Sequence, residues 1–241
     1  MVKLNLNVIL YKYFKLNHFQ QKLIFCFLCD SYFYDYNIDK MQIDDSKVFK
    51  ISFDDIYKLL NINGQIICNK SIKKEFINLV KSYIELVNLK NKSFVLSWFS
   101  SVIFEDDFIK ININNYLLLH LIALNKYLSQ LNPVYILSFK NKYSAVFYFQ
   151  LKQIKKCSKK YSFDELIDLF SVENTNYVKD WRNFKHRILE TVRQDLKENA
   201  DIFFTYKVIK NGQGNAIQKI IIKIKKRVIK NKKILIIPIL K

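Results

Sequence analysis

Residues 161–170 read YSFDELIDLF and residues 51–60 read ISFDDIYKLL, so one ten-residue pattern occurs twice, 110 residues apart. In each copy a serine is followed three positions later by an acidic residue: Ser52 by Asp55, and Ser162 by Glu165. This spacing is typical of a capping box, which begins a helix when apolar residues follow at helical intervals. The repeat therefore predicts a capped helix in each half of the chain.

A basic helix is predicted after each capped helix, and an aromatic-rich amphipathic helix before it. In both basic helices apolar residues recur every four positions, as expected for a helix with one buried side. The first copy places these apolar residues at Phe76, Val80 and Ile84. The predicted bounds are His18 to Asp30, then Ile72 to about Leu86, in the first copy, and Asn141 to Gln153, then Trp181 to about Lys197, in the second.

Each copy ends in two extended runs that predict a β-hairpin. They are Ser93 to Phe104 and Phe108 to Ile113 in the first copy, and Ile202 to Ile209 and Ala216 to Lys226 in the second. The second pair is joined by the glycine-containing turn at residues 211–214, a hairpin signal. Helix, capped helix, basic helix and hairpin is the order of a winged helix. The sequence thus predicts an α+β fold of two tandem winged-helix domains related by an internal pseudo-repeat, at residues 1–131 and 132–230, with a C-terminal tail at 231–241.

Positive charge is concentrated in the second half. Residues 1–130 hold 16 Lys and Arg against 12 Asp and Glu, whereas residues 131–241 hold 24 against 9. Codon bias toward lysine would act on both halves alike, so it does not explain the difference. Three of the four arginines fall within twelve residues: Arg182, Arg187 and Arg193. A local cluster of planar, multi-donor cations indicates base or phosphate recognition.

The outward face of the second basic helix is predicted to read DNA. Its apolar stripe, from Phe184 to Leu196, would pack inward and leave a basic face outside. A helix enters the major groove with its N-terminal residues nearest the bases, where Arg pairs with guanine and Asn with adenine. The alternative is an ordinary solvated face. The predicted base contacts are Arg182, Asn183, His186 and Arg187, and the predicted backbone contacts are Lys179, Lys185, Arg193 and Lys197.

Lysines outside this helix are predicted to contact the DNA backbone. Lys207, Lys210 and Lys219 flank the tip of the second hairpin, which would lie on neighbouring phosphates. The N-terminal basic helix carries lysines but no arginine, so it should bind backbone rather than bases. Its predicted contacts are Lys70, Lys73 and Lys74.

Other function classes find little support in the sequence. His18, His120 and His186 are isolated from one another, so a nuclease lacks its metal ligands, and no phosphate-binding loop for an ATPase occurs. We therefore expect no catalytic residue, no metal and no cofactor. No apolar stretch reaches the ~18–20 residues of a membrane span, and the four cysteines suit a reducing compartment. The chain is expected in the cytoplasm, although its basic C-terminal stretch leaves membrane-surface binding as a further alternative.

Nearly the whole chain, roughly from His18 to Arg227, resembles the Rep_3 family of iteron-binding plasmid replication initiators, and the resemblance is most specific in the second half. The resemblance rests on three stretches: residues 141–149, NKYSAVFYF; residues 161–166, YSFDEL; and Tyr177 with residues 181–189, WRNFKHRIL. Phe147, Phe149, Trp181 and His186 depart from the residues usual in the family.

The resemblance implies a replication initiator that binds directly repeated origin sequences on double-stranded DNA. It implies that the C-terminal winged helix reads a major groove while the N-terminal one contacts the backbone. It also implies a homodimer, joined through the N-terminal domain and in equilibrium with the monomer, that represses its own promoter. Contacts with the host initiator and the replicative helicase are implied as well. The remaining alternative is a winged-helix transcriptional regulator without a replication role.

Overall fold

The computed structural model describes residues 13, 15–29, 47–60, 68–87, 93–114, 117, 133–173, 175, 180–210 and 217–227. The chain divides into two compact units, which are called unit 1 and unit 2 here, with the boundary between Pro133 and Val134. Three predicted features lie outside the described residues: Lys179, the hairpin turn at 211–214 and the tail at 231–241.

Unit 1 follows the order of a winged helix, with one hairpin added. Its inner sheet has the strand order β1-β5-β4, all antiparallel, and a separate two-stranded sheet is formed by β2 and β3. The elements are α1 (His18–Cys29), β1 (Lys47–Ser52), α2 (Phe53–Leu60), α3 (Asn69–Lys81), β2 (Tyr83–Val87), β3 (Ser93–Ser97), β4 (Ser101–Phe104) and β5 (Phe108–Ile113).

The added hairpin corrects two sequence predictions. Helix α3 ends at Lys81 rather than near Leu86, because Ser82 is extended and its hydroxyl donates to the carbonyl of Leu79. The residues that follow are aromatic or branched, which suits a strand, and Ile84 lies opposite Leu96 in the new sheet. The run Ser93 to Phe104 is therefore two strands, since its first half pairs with β2 and its second half with β5.

Unit 2 is a winged helix without the added hairpin. Its single sheet has the strand order β6-β8-β7, again antiparallel, with Tyr161 opposite Ile220 and Phe204 opposite Ile224. The elements are α4 (Pro133–Ser138), α5 (Lys142–Gln153), β6 (Ser158–Tyr161), α6 (Phe163–Phe170), α7 (Trp181–Phe184), a π-helical segment (Lys185–Leu189), α8 (Glu190–Asn199), β7 (Ile202–Lys210) and β8 (Ile217–Lys226).

Both predicted helix caps are present. The Ser162 hydroxyl accepts from the backbone N–H of Glu165 at 3.0 Å, and the Glu165 carboxylate accepts from the Ser162 N–H at 2.7 Å. In unit 1 the Ser52 hydroxyl accepts from the Asp55 N–H at 3.0 Å and donates to the Asp55 carboxylate at 2.8 Å. Each cap satisfies backbone donors that a helix leaves unpaired at its start.

Each unit buries its own aromatic core. In unit 1, Phe76 of α3 stacks on Phe99 with 5.9 Å between ring centroids. In unit 2, Phe147 of α5 lies 4.7 Å from Phe204 of β7, joining helix to sheet. All four side chains are fully buried, so each unit has helices packed on a sheet around a core of its own, as a domain requires. The chain is thus two tandem winged helices, as predicted.

Candidate nucleic-acid interface

The predicted recognition segment is one unbroken helix in unit 2. Helix α7, the π segment and α8 follow one another with helical backbone at Lys185 and Glu190, where the segments join. This continuous helix, Trp181 to Asn199, is called the basic helix below. Asp180 begins it, because its side chain accepts from the N–H of Arg182 at 3.0 Å.

The π segment keeps the apolar stripe of the basic helix in register with the core. On an ideal α-helix of 3.6 residues per turn, each residue of a series spaced four apart is rotated about 40° around the helix axis from the one before. A π segment has a wider turn, which opposes that drift. As a result Phe184, Ile188, Val192 and Leu196 are all 0% exposed, and Leu189 is buried with them. The predicted inward stripe is confirmed. A prediction that assumes the same rotation per residue along the whole helix does not reveal the wider turn of the π segment.

The four predicted base contacts are all exposed. They lie in the N-terminal half of the basic helix, and the fully buried stripe occupies its other side. Thr191 donates its hydroxyl to the carbonyls of His186 and Arg187, at 3.3 and 3.2 Å, which gives these π-segment carbonyls a partner. The exposed residues are Arg182, Asn183, His186 and Arg187. A helix half with exposed forked donors and an anchored back can enter a major groove.

Arg193, a predicted phosphate contact, is held by an acidic neighbour. Its guanidinium contacts one carboxylate oxygen of Glu190 at 2.7 Å through both Nε and Nη2. The other Glu190 oxygen accepts a short hydrogen bond from the Tyr206 hydroxyl on β7. Partial burial disfavours ionisation of Glu190, but the hydrogen bonds from Tyr206 and Arg193 outweigh it and lower the pKa of the carboxyl. Burial and the bond to Glu190 raise the pKa of Tyr206. This cluster fixes Arg193 and ties the basic helix to the wing.

Asp195 locks the basic helix to the start of α5. Its carboxylate is only 4% exposed and accepts from the N–H groups of Lys140, at 2.9 Å, and Asn141, at 3.1 Å. It also accepts from the Ser144 hydroxyl at 2.5 Å and from the Asn199 amide at 2.9 Å. A buried carboxylate is tolerated when it is hydrogen-bonded this fully. The carboxylate also lies at the N-terminus of α5, where the dipole of that helix favours negative charge.

The remaining predicted backbone contacts lie at three places. Lys185 and Lys197 belong to the basic helix, where Lys185 is half-buried, Lys197 is exposed, and the Lys197 carbonyl accepts from Arg227 at 2.9 Å. The wing lysines are exposed on β7 and β8 beside the hairpin tip: Lys207, Lys210 and Lys219. Helix α3 of unit 1 carries the last three: Lys70 and Lys74, which are exposed, and Lys73, whose ammonium lies 5.5 Å from the centre of the Phe104 ring.

Sequence reasoning missed the acidic residues that orient the interface. Asp195 is followed directly by Leu196 and comes three positions after Val192, so it falls on the inward side of the helix. An acidic residue at an inward position was the signal that could have revealed it, because such a group needs buried donors. Nothing local identifies Tyr206 as the partner of Glu190, since the two lie 16 positions apart, one on the basic helix and the other on β7.

The described residues offer neither a metal-binding group nor a membrane-spanning helix. Within the described ranges, no three or more His, Cys, Asp or Glu side chains are grouped so as to hold a metal ion. None of the helices in the described part of the chain is both long and apolar enough to cross a membrane.

Comparison with known proteins supports the reading of two winged helices. Two crystal structures of domains 2 and 3 of RctB are similar to the chain, each at 12% identity. One has a TM-score of 0.59 over 88% of this chain and 82% of that one, and the other 0.51 over 87% and 82%. At this identity the likeness shows the fold alone. No curated protein sequence matches the chain.

Family models match almost the whole length. The model described as "Initiator Replication protein, WH1" matches residues 2–152, and "Initiator Rep protein, WH2" matches residues 162–224. The second match includes α6, the basic helix, β7 and most of β8. The chain therefore belongs to the Rep_3 family of plasmid replication initiators and is a DNA-binding protein of replication initiation.

Proposed function

We propose that this initiator recognises directly repeated origin sequences in double-stranded DNA through the basic helix of unit 2. One observation carries the proposal: four exposed side chains with hydrogen-bonding groups share the N-terminal half of a helix whose other side is fully buried. Arg182 and Arg187 supply bidentate donors for guanine, and Asn183 suits adenine. Because the core fixes the back of the helix, the helix backbone is already ordered before binding, which favours affinity.

The lysines outside the reading face are proposed to hold the backbone. Lys207, Lys210 and Lys219 lie beside the wing tip and would contact phosphates next to the groove. The lysines of α3 would do the same on a neighbouring stretch, since Lys acts as a point charge without base geometry. From the helix, Lys179, Lys185, Arg193 and Lys197 complete the proposed set.

Unit 1 is proposed to form the homodimer, in equilibrium with the monomer, that represses the promoter of the initiator itself. The support is an exposed apolar surface on the added hairpin: Tyr83 is 61% and Val95 is 63% exposed. The register puts Tyr83 and Val95 on the same face of the hairpin, and both strands are edges that can pair with another chain. Family membership further supports contacts with the host initiator and the replicative helicase, in the cytoplasm.

Arginine substitutions test the reading of bases. Arg182→Ala and Arg187→Ala should each weaken binding to the cognate repeat by about 1–3 kcal/mol and relax its sequence preference. Lys219→Ala, the matched control on the wing, should weaken binding to cognate and scrambled duplexes alike. It should also reduce the dependence of affinity on salt concentration by the equivalent of about one phosphate contact. Mobility-shift titrations at two salt concentrations measure both. Equal losses on cognate and scrambled DNA for the arginine variants would rule out base reading by this helix.

The origin DNA itself tests the choice of repeats. Footprinting on the DNA adjacent to the coding sequence should protect an array of direct repeats about two helical turns apart, with one face of each repeat covered by unit 2. Protection of a single inverted repeat and no direct repeats would point instead to a winged-helix regulator.

A further inference from the structure

The wing sheet of unit 2 has a second face, directed away from the helices. Side chains alternate between the two faces of a sheet. On the inner face Phe204, Ile220 and Ile222 are 0% exposed and form part of the core. The other face is open along β6, β8 and β7, and it is called the outer face below.

The outer face is lined with lysines and hydroxyls in register. Lys160 and Lys207 lie on either side of Ile221, and Ser158 and Thr205 lie on either side of Lys223. Lys219 and Lys225 extend the row along β8. All five lysines and both hydroxyl residues are exposed. Neighbouring strands are about 4.8 Å apart and alternate residues along β8 about 6.7 Å apart, so the five lysines lie within a few strand spacings of one another on one face.

No acidic residue balances this array. Residues 202–241 contain ten lysines, one arginine and no Asp or Glu. Among the described residues, none of the five outer-face lysines takes part in an ion pair, whereas Lys58, Lys110, Lys140 and Lys152 do. An unbalanced positive surface raises the local concentration of polyanions.

We propose that the outer face binds the phosphate backbone of a second DNA duplex through Lys160, Lys223 and Lys225, separate from the duplex that the basic helix and the wing-tip lysines Lys207 and Lys219 contact. Backbone contacts in protein–DNA complexes come from Lys together with Ser and Thr, the set present here, and they carry no sequence information. The described residues of this face include no Arg, Asn or Gln to read a base edge. The choice of DNA as the partner rests on the function proposed above.

A single short duplex would have to bend to occupy both surfaces. The sheet and the buried core separate Lys160, Lys223 and Lys225 from the basic helix, so the bend would have to be sharp. DNA has a persistence length of about 150 bp, and bending a site of 20–30 bp by 40–90° costs on the order of 1–6 kcal/mol. A straight second duplex binds the exposed lysines without that cost, and salt screens this attraction over about 8–10 Å.

The test counts duplexes per protomer. Wild-type protein is mixed with two differently labelled duplexes of about 25 bp, one with the cognate repeat and one scrambled, and the masses of the complexes are measured by sedimentation. We expect one protomer to carry both duplexes at low salt. The second binding should weaken with salt by a slope of about −0.9 per phosphate contact.

The decisive variant is the triple change Lys160→Gln, Lys223→Gln and Lys225→Gln. Its affinity for the scrambled duplex should fall at least tenfold relative to wild type, while its affinity for the cognate duplex stays within threefold of wild type. The control, Lys58→Gln, Lys81→Gln and Lys140→Gln, removes the same charge elsewhere and should keep both duplexes. Bridging through a dimer is recognised by mass, because it gives two protomers with two duplexes.

Three results would overturn the proposal. The first is a wild-type protomer that binds the cognate duplex but never a second one. The second is a triple variant that keeps the second duplex as well as the control does. The third is an outer face that binds a polyglutamate peptide but refuses DNA, which would make an acidic protein segment its partner. Failure of the wild type to bind even the cognate duplex would instead count against the proposed function.

Discussion

The two winged helices of the chain share a fold but differ in the side chains that they expose. All five large apolar side chains that are exposed among the described residues belong to unit 1: Val48, Ile77, Tyr83, Val95 and Ile103. Unit 2 instead exposes three arginine and lysine surfaces, on its basic helix, its wing and its outer face. One fold can therefore support association with protein in one copy and with DNA in the other, because the core residues fix the frame and the exposed residues fix the partner.

Both units also use a carboxylate to hold one helix to the start of another. In unit 1, Glu75 of α3 accepts from the side-chain amides of Asn17 and Gln20, both at 2.8 Å, where α1 begins. In unit 2, Asp195 of the basic helix accepts from backbone N–H groups where α5 begins. In each unit a carboxylate on a later helix, α3 or the basic helix, thus holds the N-terminus of an earlier one, α1 or α5, and of these two carboxylates only that of Asp195 is buried.

The largest expected effect comes from removing a core ring of unit 2. Phe184→Ala opens a cavity among Phe163, Phe170 and Trp181, whose ring centroids lie 5.2 to 5.9 Å away. It should destabilise unit 2 by about 3–5 kcal/mol, measured by urea unfolding followed through tryptophan fluorescence. The matched change Phe76→Ala should lower the stability of unit 1 by a similar amount. An unchanged unfolding curve for Phe184→Ala would mean that the stripe does not pack inward.

The second prediction compares the stability lost on removing the Asp195 carboxylate with that lost on removing the Glu75 carboxylate. Asp195→Ala leaves two backbone N–H groups and the Ser144 hydroxyl without their acceptor, and should cost about 2–4 kcal/mol of stability. Glu75→Ala should cost about 1 kcal/mol or less, because Glu75 is only half-buried and the exposed Asn17 can turn its amide to water. Urea unfolding of both variants gives the difference. Equal losses would show that the burial of Asp195 adds nothing to its role.

The third prediction addresses the apolar hairpin of unit 1. Val95→Lys places a charge on the surface proposed to join two protomers, and should raise the dimer dissociation constant at least about tenfold, or 1.4 kcal/mol. Sedimentation velocity without DNA measures it. Gln153→Lys adds the same charge to an exposed position of unit 2 and should leave the association unchanged. A dimer that tolerates Val95→Lys would place the interface elsewhere.

The smallest effect concerns the bond between wing and basic helix. Tyr206→Phe removes the donor to Glu190 and should cost about 1 kcal/mol at neutral pH. The folded pKa of Glu190 is depressed, so the stability it contributes is present above its unfolded pKa and is lost as the pH falls through the folded value. The variant should therefore show a higher pKa for Glu190 by NMR titration and a smaller loss of stability on acidification. An unchanged pKa would show that Arg193 alone sets it.

Sequence patterns predicted what is local and missed what is distant. The caps at Ser52 and Ser162 were predictable because the partners lie three residues apart. The apolar stripe of the basic helix followed from its spacing. Asp195 was not predictable as a clamp, because its partner Lys140 is 55 residues away. The end of α3 at Lys81 was missed because Ile84 continues the helical spacing, and pairing with β3 overrides that spacing.

The π segment divides the basic helix into an anchored half and a half proposed to read bases. Residues from Glu190 onward are bonded to α5 and to the wing, while the residues proposed to read bases come before Ile188. If one residue were deleted from Lys185–Leu189, an ordinary α-helix would remain in which Phe184 and Val192 are seven positions apart, about 20° short of two full turns, so both halves would keep nearly the same orientation. Loss of a single codon at this point would therefore shorten the helix by about 1.5 Å without turning its DNA-reading side chains away from their target, which makes the π segment a position where related initiators can differ in length and keep one origin.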